Sequence, residues 1–289
     1  MTDVESLASG KDHKDENFPV ASALIAARHR PVVLAFYRVA RISDDVADHP
    51  SLSSEEKLER LAAIEASLTG HAVSVPTAVA LRGVLSERGI TSRHMLDLLE
   101  AFRRDAVKTR YADWDELMDY CRYSAAPVGR FMLDVHGEDH ATWPASDALC
   151  AALQVINHLQ DCGKDYRDLD RVYLPLDALA GAGLDARALG GLKADAALRG
   201  VIAGLAARTA LLLQTARALR TGVRDLRLAV EIGVIHTLAQ SLNQGLMVKD
   251  PLSEPVHHAK IEALGIAFWG AAKTLGAKLA PRPGRRSKA

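Results

Sequence analysis

Residues 154–166 read QVINHLQDCGKDY, and the interpretation of the whole chain starts from this stretch. In an α-helix Asn157, Asp161 and Asp165 recur every fourth residue, so their side chains share one face, with Gln154 one turn earlier. Like charges at this spacing destabilise a helix by about 0.2–0.5 kcal/mol, and the apolar neighbours indicate partial burial, which raises that cost. We therefore expect a cation beside Asp161 and Asp165, the second acidic pair.

Residues 37–48, YRVARISDDVAD, have the same pattern. Asp44 and Asp48, the first acidic pair, share a helical face that Arg41 and Tyr37 continue toward the N-terminus. Oxygen ligands that leave the metal shell incomplete are typical of Mg²⁺ sites, where water and substrate phosphate fill the other positions. One D-x-x-x-D motif is usually a solvated helix face, but two in one chain favour a Mg²⁺-diphosphate site between two helices.

Composition excludes several functional classes. The 289 residues carry no formal net charge, which argues against nucleic acid as a partner. The three cysteines, Cys121, Cys150 and Cys162, lack metal-ligand spacing and indicate reduced thiols. The N-terminus has no signal-peptide pattern, and no apolar run approaches the roughly 20 residues of a membrane span. We expect a cytoplasmic protein.

Helical periodicity dominates the chain, with no strand pattern of useful length. The pattern predicts an all-α fold with one domain over residues 16–279, a flexible N-terminal tail over 1–15 and a basic disordered tail over 280–289. This basic tail leaves two interpretations open: a solvated end, or peripheral contact with anionic lipid at the inner face of the membrane.

Several helix ends are marked by local signals. Ser53 with Glu56 predicts a capping box, Asp113 an N-cap, and Gly70 and Gly89 predict helix ends. The sequence also predicts that Pro175 stops the helix that contains residues 154–166 and that residues 180–192 form a loop. It predicts further helices over residues 195–219, 225–248 and 257–279.

Proline and small residues interrupt the helix that follows Asp113. Residues 125–129 read AAPVG, and Pro127 predicts a kink in a continuous helix because it removes one backbone hydrogen bond. The small residues leave two interpretations open: a pocket for a bulky apolar ligand, or close helix-helix packing.

Taken together, these motifs resemble the squalene and phytoene synthase family of head-to-head isoprenoid synthases. The resemblance covers about residues 17–175 and becomes weaker past residue 200. It is carried by Tyr37-x3-Arg41-x2-Asp44-Asp45-x2-Asp48, Tyr120-Cys121 leading to Val128-Gly129, Gln154-x2-Asn157-x3-Asp161-x3-Asp165-Tyr166, and Arg171-x-Tyr173-Leu174-Pro175. Residues 16–22 and the pair Gln160-Asp161 are most similar to the hydroxysqualene synthase branch of the hopanoid pathway.

The resemblance implies an isoprenoid-synthase-type helical bundle around a central apolar cavity, with Mg²⁺ as cofactor. It implies these metal ligands: Asp44, Asp48, Asn157, Asp161 and Asp165. The catalytic residues that it implies are Tyr37, Arg41 and Tyr120. Substrate binding would involve Asn17, Phe18, Tyr37, Arg41, Val128, Gly129, Gln154 and Tyr173.

Two departures from the family pattern bear on the substrate. Many relatives carry a serine-rich phosphate-binding segment before Phe18, where this chain has Lys14-Asp15-Glu16-Asn17, and many carry arginine at the position of Gln160. Both changes remove phosphate contacts, so we expect the enzyme to hold one diphosphate substrate. This favours presqualene diphosphate, which would ionise and react with water to give hydroxysqualene.

The sequence also allows two other functions. A sibling synthase would make squalene with NADPH, or presqualene diphosphate or phytoene by condensing two prenyl diphosphates. A non-enzymatic helical scaffold would carry the acidic pairs as solvated faces. Enzymes of the same pathway are expected partners.

Overall fold

Twelve α-helices account for most of the residues that the structure describes. It is a computed structural model that describes Val4 and residues 25–279, with Lys260 described by its backbone alone. The helices are α1 Arg30–Ala47, α2 Ser54–Thr69, α3 Pro76–Arg88, α4 Arg93–Val107, α5 Trp114–Ser124, α6 Ala126–Val135, α7 Trp143–Leu169, α8 Leu176–Gly181, α9 Ala196–Ala216, α10 Leu219–Gly222, α11 Leu226–Leu246 and α12 Lys260–Leu279. The all-α prediction is confirmed, since the only β pairing in these residues is an isolated bridge between Arg110 and Val172.

The signals for helix ends act as predicted. Ser53 and Glu56 form a reciprocal capping box at the start of α2, and the Asp113 carboxylate accepts a backbone hydrogen bond at the start of α5. Such caps stabilise a helix by about 1 kcal/mol each. Gly70 and Gly89 end α2 and α3 with φ values of 91° and 63°, a conformation that costs glycine nothing.

The prediction for Pro127, a kink within one continuous helix, is wrong. The sequence predicts a kinked continuous helix, whereas the chain ends α5 at Ser124, breaks at Ala125 and begins α6 with Pro127 in its first turn. The first turn has no intrahelical partner for a backbone N–H, so proline is tolerated there and is excluded from a helix interior. Residues of both α5 and α6 line the candidate site.

Three other boundaries differ from expectation. The α7 helix ends at Leu169, where Asp170 adopts a left-handed conformation with φ 49°, and Pro175 instead precedes α8. The predicted loop over 180–192 contains a 3₁₀ segment, Ala186–Gly190. The predicted helix over 195–219 divides into α9 and α10. The predicted tails over 1–15 and 280–289 lie outside the described residues, apart from Val4.

Two apolar clusters form the interior. The first joins α1 to α4 with part of α6, where Phe131 stacks on Phe36 with ring centroids 3.9 Å apart. The second joins α5, α7, α9 and α11. The candidate site lies where the two clusters meet, because its walls come from α1 and α4 on one side and from α5 to α7 on the other.

One stretch of the described residues, 196–222, is long and apolar enough to cross a membrane by length and composition, with a mean hydropathy of 1.6 over an 18-residue window. The core helix of a soluble protein meets the same criterion. Because α9 packs against α7 and α11, this stretch is weak evidence for a span.

Candidate active site

A cavity of about 420 Å³ lies between the two clusters and is here called the polar cavity. Its lining residues are Tyr37, Ala40, Arg41, Asp44, Asp48, Leu98, Ala101, Phe102, Asp105, Tyr120, Ser124, Val128, Gln154, Asn157, His158, Asp161, Asp165, Leu169, Arg171 and Tyr173. Both acidic pairs therefore face one space, although more than 100 residues separate them in the chain.

The two acidic pairs lie near enough to influence one another. Burial raises the pKa of Asp165 to about 7, and the charges of Asp161 and of Asp48, across the cavity, raise it further. Burial likewise raises the pKa of Asp44 to about 7, followed by the charge of Asp48, while Arg41 acts in the opposite direction. The cavity thus concentrates negative charge that a cation would stabilise.

Arg41 lies within the first acidic cluster. Its guanidinium contacts the carboxylate of Asp44 at 2.9 Å and that of Asp45 at 2.7 Å. Asp45 is not part of the D-x-x-x-D pattern, and no role was predicted for it. One turn of α1 therefore supplies both the carboxylate for a cation and an arginine that partly neutralises it.

Arg171 is a second internal cation, and it is buried. It donates to the carboxylate of Asp48 at 2.5 Å and to the carbonyl oxygens of Ala47 at 3.2 Å and Asp105 at 3.0 Å. The family resemblance includes Arg171, but no role follows for it from helical spacing, because it lies beyond the end of α7. It fixes the C-terminal end of α1 against α4.

The α7 residues lack such partners. Among the described residues, neither Asp161 nor Asp165 forms an ion pair by its side chain, and the Oδ1 atom of Asn157 is buried without a hydrogen-bond partner. A buried acceptor without a partner costs about 1–3 kcal/mol. Gln154 lines the cavity one turn earlier, as the spacing predicts.

Asp105 is a site residue that the sequence interpretation missed. It is buried on α4, where it accepts hydrogen bonds from the hydroxyls of Tyr120 at 2.8 Å and Tyr173 at 3.3 Å. Burial raises its pKa to about 6, against the opposing charge of Arg171. An available signal was its register, since Asp105 follows Phe102 and Leu98 on the apolar stripe of α4.

His158 was also missed. Its ring stacks on Tyr173 with centroids 3.6 Å apart, and burial lowers its pKa to about 3, followed by the charge of Arg171. The imidazole is therefore neutral in this site. With Tyr120 these two rings form an aromatic wall of the polar cavity, and Tyr111 packs against Tyr120 and Tyr173.

A second cavity, the apolar cavity, has a volume of about 340 Å³. It shares Tyr37, Ala40 and Val128 with the polar cavity, so the two spaces meet at these side chains. Its other lining residues are Ile25, Val33, Phe36, Gly129, Phe131, Met132, Leu133, Ser146, Leu149, Cys150, Leu153, Leu219, Leu228, Glu231, Ile232 and Ile235.

Residues 125–129 serve both roles that the sequence left open. A Cβ atom on Gly129 would lie 2.4 Å from Oγ of Ser146 and 2.6 Å from Sγ of Cys150, so α6 packs closely on α7 at this glycine. One residue earlier, Val128 lines both cavities. Close packing and a pocket therefore occur side by side.

Gln160 points away from the polar cavity. It is buried and donates to the backbone carbonyl of Val256, with His257 Nδ1 at 3.3 Å from the same nitrogen. Among the described residues, the cationic side chains that line the polar cavity are Arg41 and Arg171, and both are paired. Asn17 and Phe18, which the resemblance implies as substrate contacts, lie outside the described residues.

The donor set of the polar cavity suits Mg²⁺. Carboxylate and amide oxygens are its preferred protein ligands, and the Oδ1 atom of Asn157 is an acceptor that awaits a partner. Within the described part of the chain, no group of three or more His, Cys, Asp or Glu side chains is close enough to hold a metal unaided. Mg²⁺ usually keeps water and binds substrate phosphate, so an open donor set is compatible with it.

Comparisons with known proteins identify relatives of this chain. The family described as squalene/phytoene synthase matches residues 11–244 of the chain. The hydroxysqualene synthase of Rhodopseudomonas palustris is 55% identical over 94% of this chain and 92% of that protein. The hydroxysqualene synthase of Zymomonas mobilis is 53% identical over 93% of this chain and 92% of that protein. The solved squalene synthase HpnC from Alicyclobacillus acidocaldarius is 30% identical, with a TM-score of 0.70 over 84% of this chain and 91% of that chain.

Proposed function

The chain belongs to the squalene/phytoene synthase family, and from that premise we propose that it is a hydroxysqualene synthase. In this reaction presqualene diphosphate and water give hydroxysqualene and diphosphate. The carbon–oxygen bond to diphosphate breaks heterolytically, water adds to the rearranged carbocation, and one proton is released. The proposal draws on the similarity to hydroxysqualene synthases over more than nine tenths of the chain.

The single structural observation that carries the proposal is the junction of the two cavities. A polar space with five aspartates opens at Tyr37 and Val128 into a space lined mostly by apolar side chains. A prenyl diphosphate has the same division into an anionic head and a hydrocarbon tail. The polar cavity fits the head group, and the apolar cavity fits the tail.

Mg²⁺ would be held by the two acidic pairs with Asn157, and when bound it neutralises the charge of the departing diphosphate. Arg41, already oriented by Asp44 and Asp45, would donate to a diphosphate oxygen at the mouth of the site. Gln154 would contact the same group from α7. These residues orient the head group so that its carbon–oxygen bond lies at the entrance of the apolar cavity.

Tyrosine rings would stabilise the positive charge left on the hydrocarbon. Tyr37 lies at the junction, and Tyr120 and Tyr173 lie on the inner wall, where Asp105 accepts from both hydroxyls and so fixes the orientation of the rings. The π face of an aromatic ring attracts a cation by about 0.5–2 kcal/mol, and more in a dry site. Val128 and Gly129 would bound the channel for the tail.

The site is expected to bind one diphosphate group. The position that is arginine in many relatives is Gln160 here, and its side chain holds residues 256–257 instead of facing the cavity. The two arginines that line the cavity already have carboxylate partners. These contacts support a substrate with a single diphosphate and disfavour the condensation of two prenyl diphosphates.

Product analysis tests the proposal. Incubation with presqualene diphosphate and Mg²⁺, followed by mass spectrometry, should give an alcohol that carries ¹⁸O when the water is labelled. Squalene formed when NADPH is added, or efficient formation of presqualene diphosphate or phytoene from prenyl diphosphates, would assign a sibling activity instead.

A binding assay separates the enzyme from a helical scaffold. Mg²⁺ with a non-hydrolysable diphosphate analogue at 100 times its Kd should stabilise the protein by about 2.7 kcal/mol. An unchanged melting temperature at that concentration would favour the scaffold with solvated acidic faces.

The cellular context follows from the substrate. Presqualene diphosphate must be made by a head-to-head condensing enzyme and hydroxysqualene must be consumed by a reductive one, so we propose pathway enzymes as partners. We propose residues 16–279 as one catalytic domain, working in the cytoplasm at the inner face of the membrane, where its apolar product would dissolve.

A further inference from the structure

The α12 helix exposes an apolar stripe. Six of the fourteen large apolar side chains exposed on the described residues belong to this 20-residue helix. Among them Ile261 is 86% exposed, Phe268 77% and Leu279 82%. At about 100° per residue, these three with Leu264 and Leu275 fall within roughly 60° of the helix circumference.

The opposite face of α12 explains this orientation. It packs on α11 through small residues: a Cβ on Gly270 would lie 2.8 Å from the carbonyl oxygen of Gly233, and one on Gly233 would lie 1.9 Å from Oγ1 of Thr274. Only side chains of this size allow so close an approach. The bulky apolar residues are thereby directed outward, the reverse of the usual arrangement in a surface helix.

Basic residues accompany the stripe. Lys273 lies over the ring of Trp269, 5.1 Å from its centroid, at one side of the stripe. Directly after α12 the sequence continues as Ala280 to Ala289, with four basic residues and no acidic one: Arg282, Arg285, Arg286 and Lys288. An apolar stripe with an adjoining tryptophan and clustered basic residues is typical of helices that lie in a membrane interface.

We propose that the apolar stripe of α12 is a docking surface for an anionic lipid bilayer, with α12 lying in the plane of the interface. The four basic residues that follow α12 in the sequence, the basic segment 280–289, would add attraction for anionic lipid. The four charged residues of α12, Lys260, Glu262, Lys273 and Lys278, favour this placement over a crossing helix. This docking surface would provide the membrane contact of the proposed function. It rests on that function in one respect, that a C30 product needs a lipid phase.

Charge selects a bilayer over a second copy of the chain as the occupant. Two copies joined through α12 would gain nothing from the basic segment, and its like charges would repel across a shared interface. An anionic lipid surface attracts each nearby Lys or Arg, and it buries the apolar stripe at the same time.

Vesicle flotation with the full chain tests the docking surface. The protein should bind vesicles containing about 30 mol% phosphatidylglycerol at least tenfold more tightly than pure phosphatidylcholine vesicles, with a loss at about 0.5 M NaCl. The double substitution Leu264→Glu with Phe268→Glu should lower the partition coefficient on anionic vesicles by roughly a hundredfold. Binding does not require turnover, so the result is independent of the proposed reaction.

The matched control is the pair Leu192→Glu with Leu211→Glu, which adds the same two charges at exposed apolar positions outside α12 and should leave flotation unchanged. Circular dichroism establishes that each variant is folded, and Leu264→Gln with Phe268→Gln provides a milder pair. Equal flotation of double variant and control, or no binding of the unaltered protein to anionic vesicles, overturns the proposal. A dimer that sedimentation shows to be dissociated by the double variant would assign the stripe to a second copy and would also overturn it.

Discussion

The two acidic pairs face the same cavity but differ in how their charge is compensated. On α1, Arg41 contacts Asp44, and Arg171 contacts Asp48. On α7, the side chains of Asp161 and Asp165 have no ion-pair partner among the described residues. One wall of the site is therefore neutralised by the chain itself, while the other depends on a cation from solution.

This difference indicates that the two walls of the site have different roles. The α1 pair is held in place by arginines before any ligand binds, which preorganises that wall at the cost of some attraction for metal. The α7 pair has no such ion-pair partner among the described residues, and Asn157 adds a buried acceptor without a partner. We infer that Mg²⁺ affinity depends mainly on α7 and that the geometry of the site depends mainly on α1.

Asp161→Ala should have the largest effect on activity. It removes a metal ligand from the uncompensated wall, so turnover of presqualene diphosphate should fall on the order of a thousandfold. The melting temperature without Mg²⁺ should stay the same or rise slightly, because a like-charge pair is relieved. Steady-state kinetics and thermal unfolding measure both.

Asp168→Ala is the matched control for this change, because Asp168 is an exposed aspartate of α7 that does not line the polar cavity. It should retain normal turnover and Mg²⁺ affinity. Global unfolding of Asp161→Ala would show instead that the second acidic pair is structural and that the two walls do not differ as proposed.

Arg171→Met should have the largest effect on stability. It leaves the Asp48 carboxylate and the carbonyl oxygens of Ala47 and Asp105 without their donor, which should lower the free energy of unfolding by about 2–4 kcal/mol. Urea denaturation without Mg²⁺ measures this. Arg187→Met removes an exposed surface ion pair with Asp185 and should leave the unfolding curve unchanged. Equal curves for both variants would mean that the first wall is not held by its arginine.

The sequence was sufficient for the parts of this comparison that depend on helical spacing. A period of 3.6 residues places Asp44 with Asp48 and Asp161 with Asp165 on shared faces, and the caps at Ser53 and Asp113 act locally. All-α architecture follows from the same periodicity. These features depend only on residues that lie within one or two helical turns of each other.

Tertiary contacts were beyond the reach of spacing. Arg171 lies past the end of α7, and its bond to Asp48 joins residues separated by 123 positions. The bonds of Asp105 to Tyr120 and Tyr173 likewise join different elements. Pro127 began a new helix instead of bending one, because the packing of α6 decided between two conformations that the local sequence allows.

Asp105→Asn should have an intermediate effect and probes the point where the two walls meet. Asparagine keeps one acceptor for the two tyrosine hydroxyls but removes the charge, so kcat should fall about tenfold with little change in KM or Mg²⁺ affinity. Tyr120→Phe measured alone and combined with Asp105→Asn forms a double-mutant cycle, in which a positioning role predicts losses that do not add. Additive losses, or a loss of Mg²⁺ affinity, would contradict that role.

The smallest expected effect is a pH dependence of stability at the α7 wall. Burial and the charge of Asp161 raise the pKa of Asp165 to about 7, above its ordinary value near 4. Between these two pH values the folded state binds more protons than the unfolded state, so this residue's contribution to stability is present at low pH and declines as pH rises toward 7. Buried His158, whose pKa is lowered to about 3, acts in the opposite direction between pH 3 and 6.5, so the whole-protein profile is not diagnostic.

A difference between variants isolates the effect. Asp165→Asn resembles the protonated carboxyl, so without Mg²⁺ it should match the unaltered protein at pH 5 and exceed its melting temperature by about 2–4 °C at pH 8. Saturating Mg²⁺ with a diphosphate analogue should reverse the order at pH 8, because the charged carboxylate binds the cation more strongly than the neutral amide does. The exposed Asp168→Asn should show the same small shift at both pH values. If Asp165→Asn also shifts equally at both, the second acidic pair carries no uncompensated charge, and the contrast between the two walls fails.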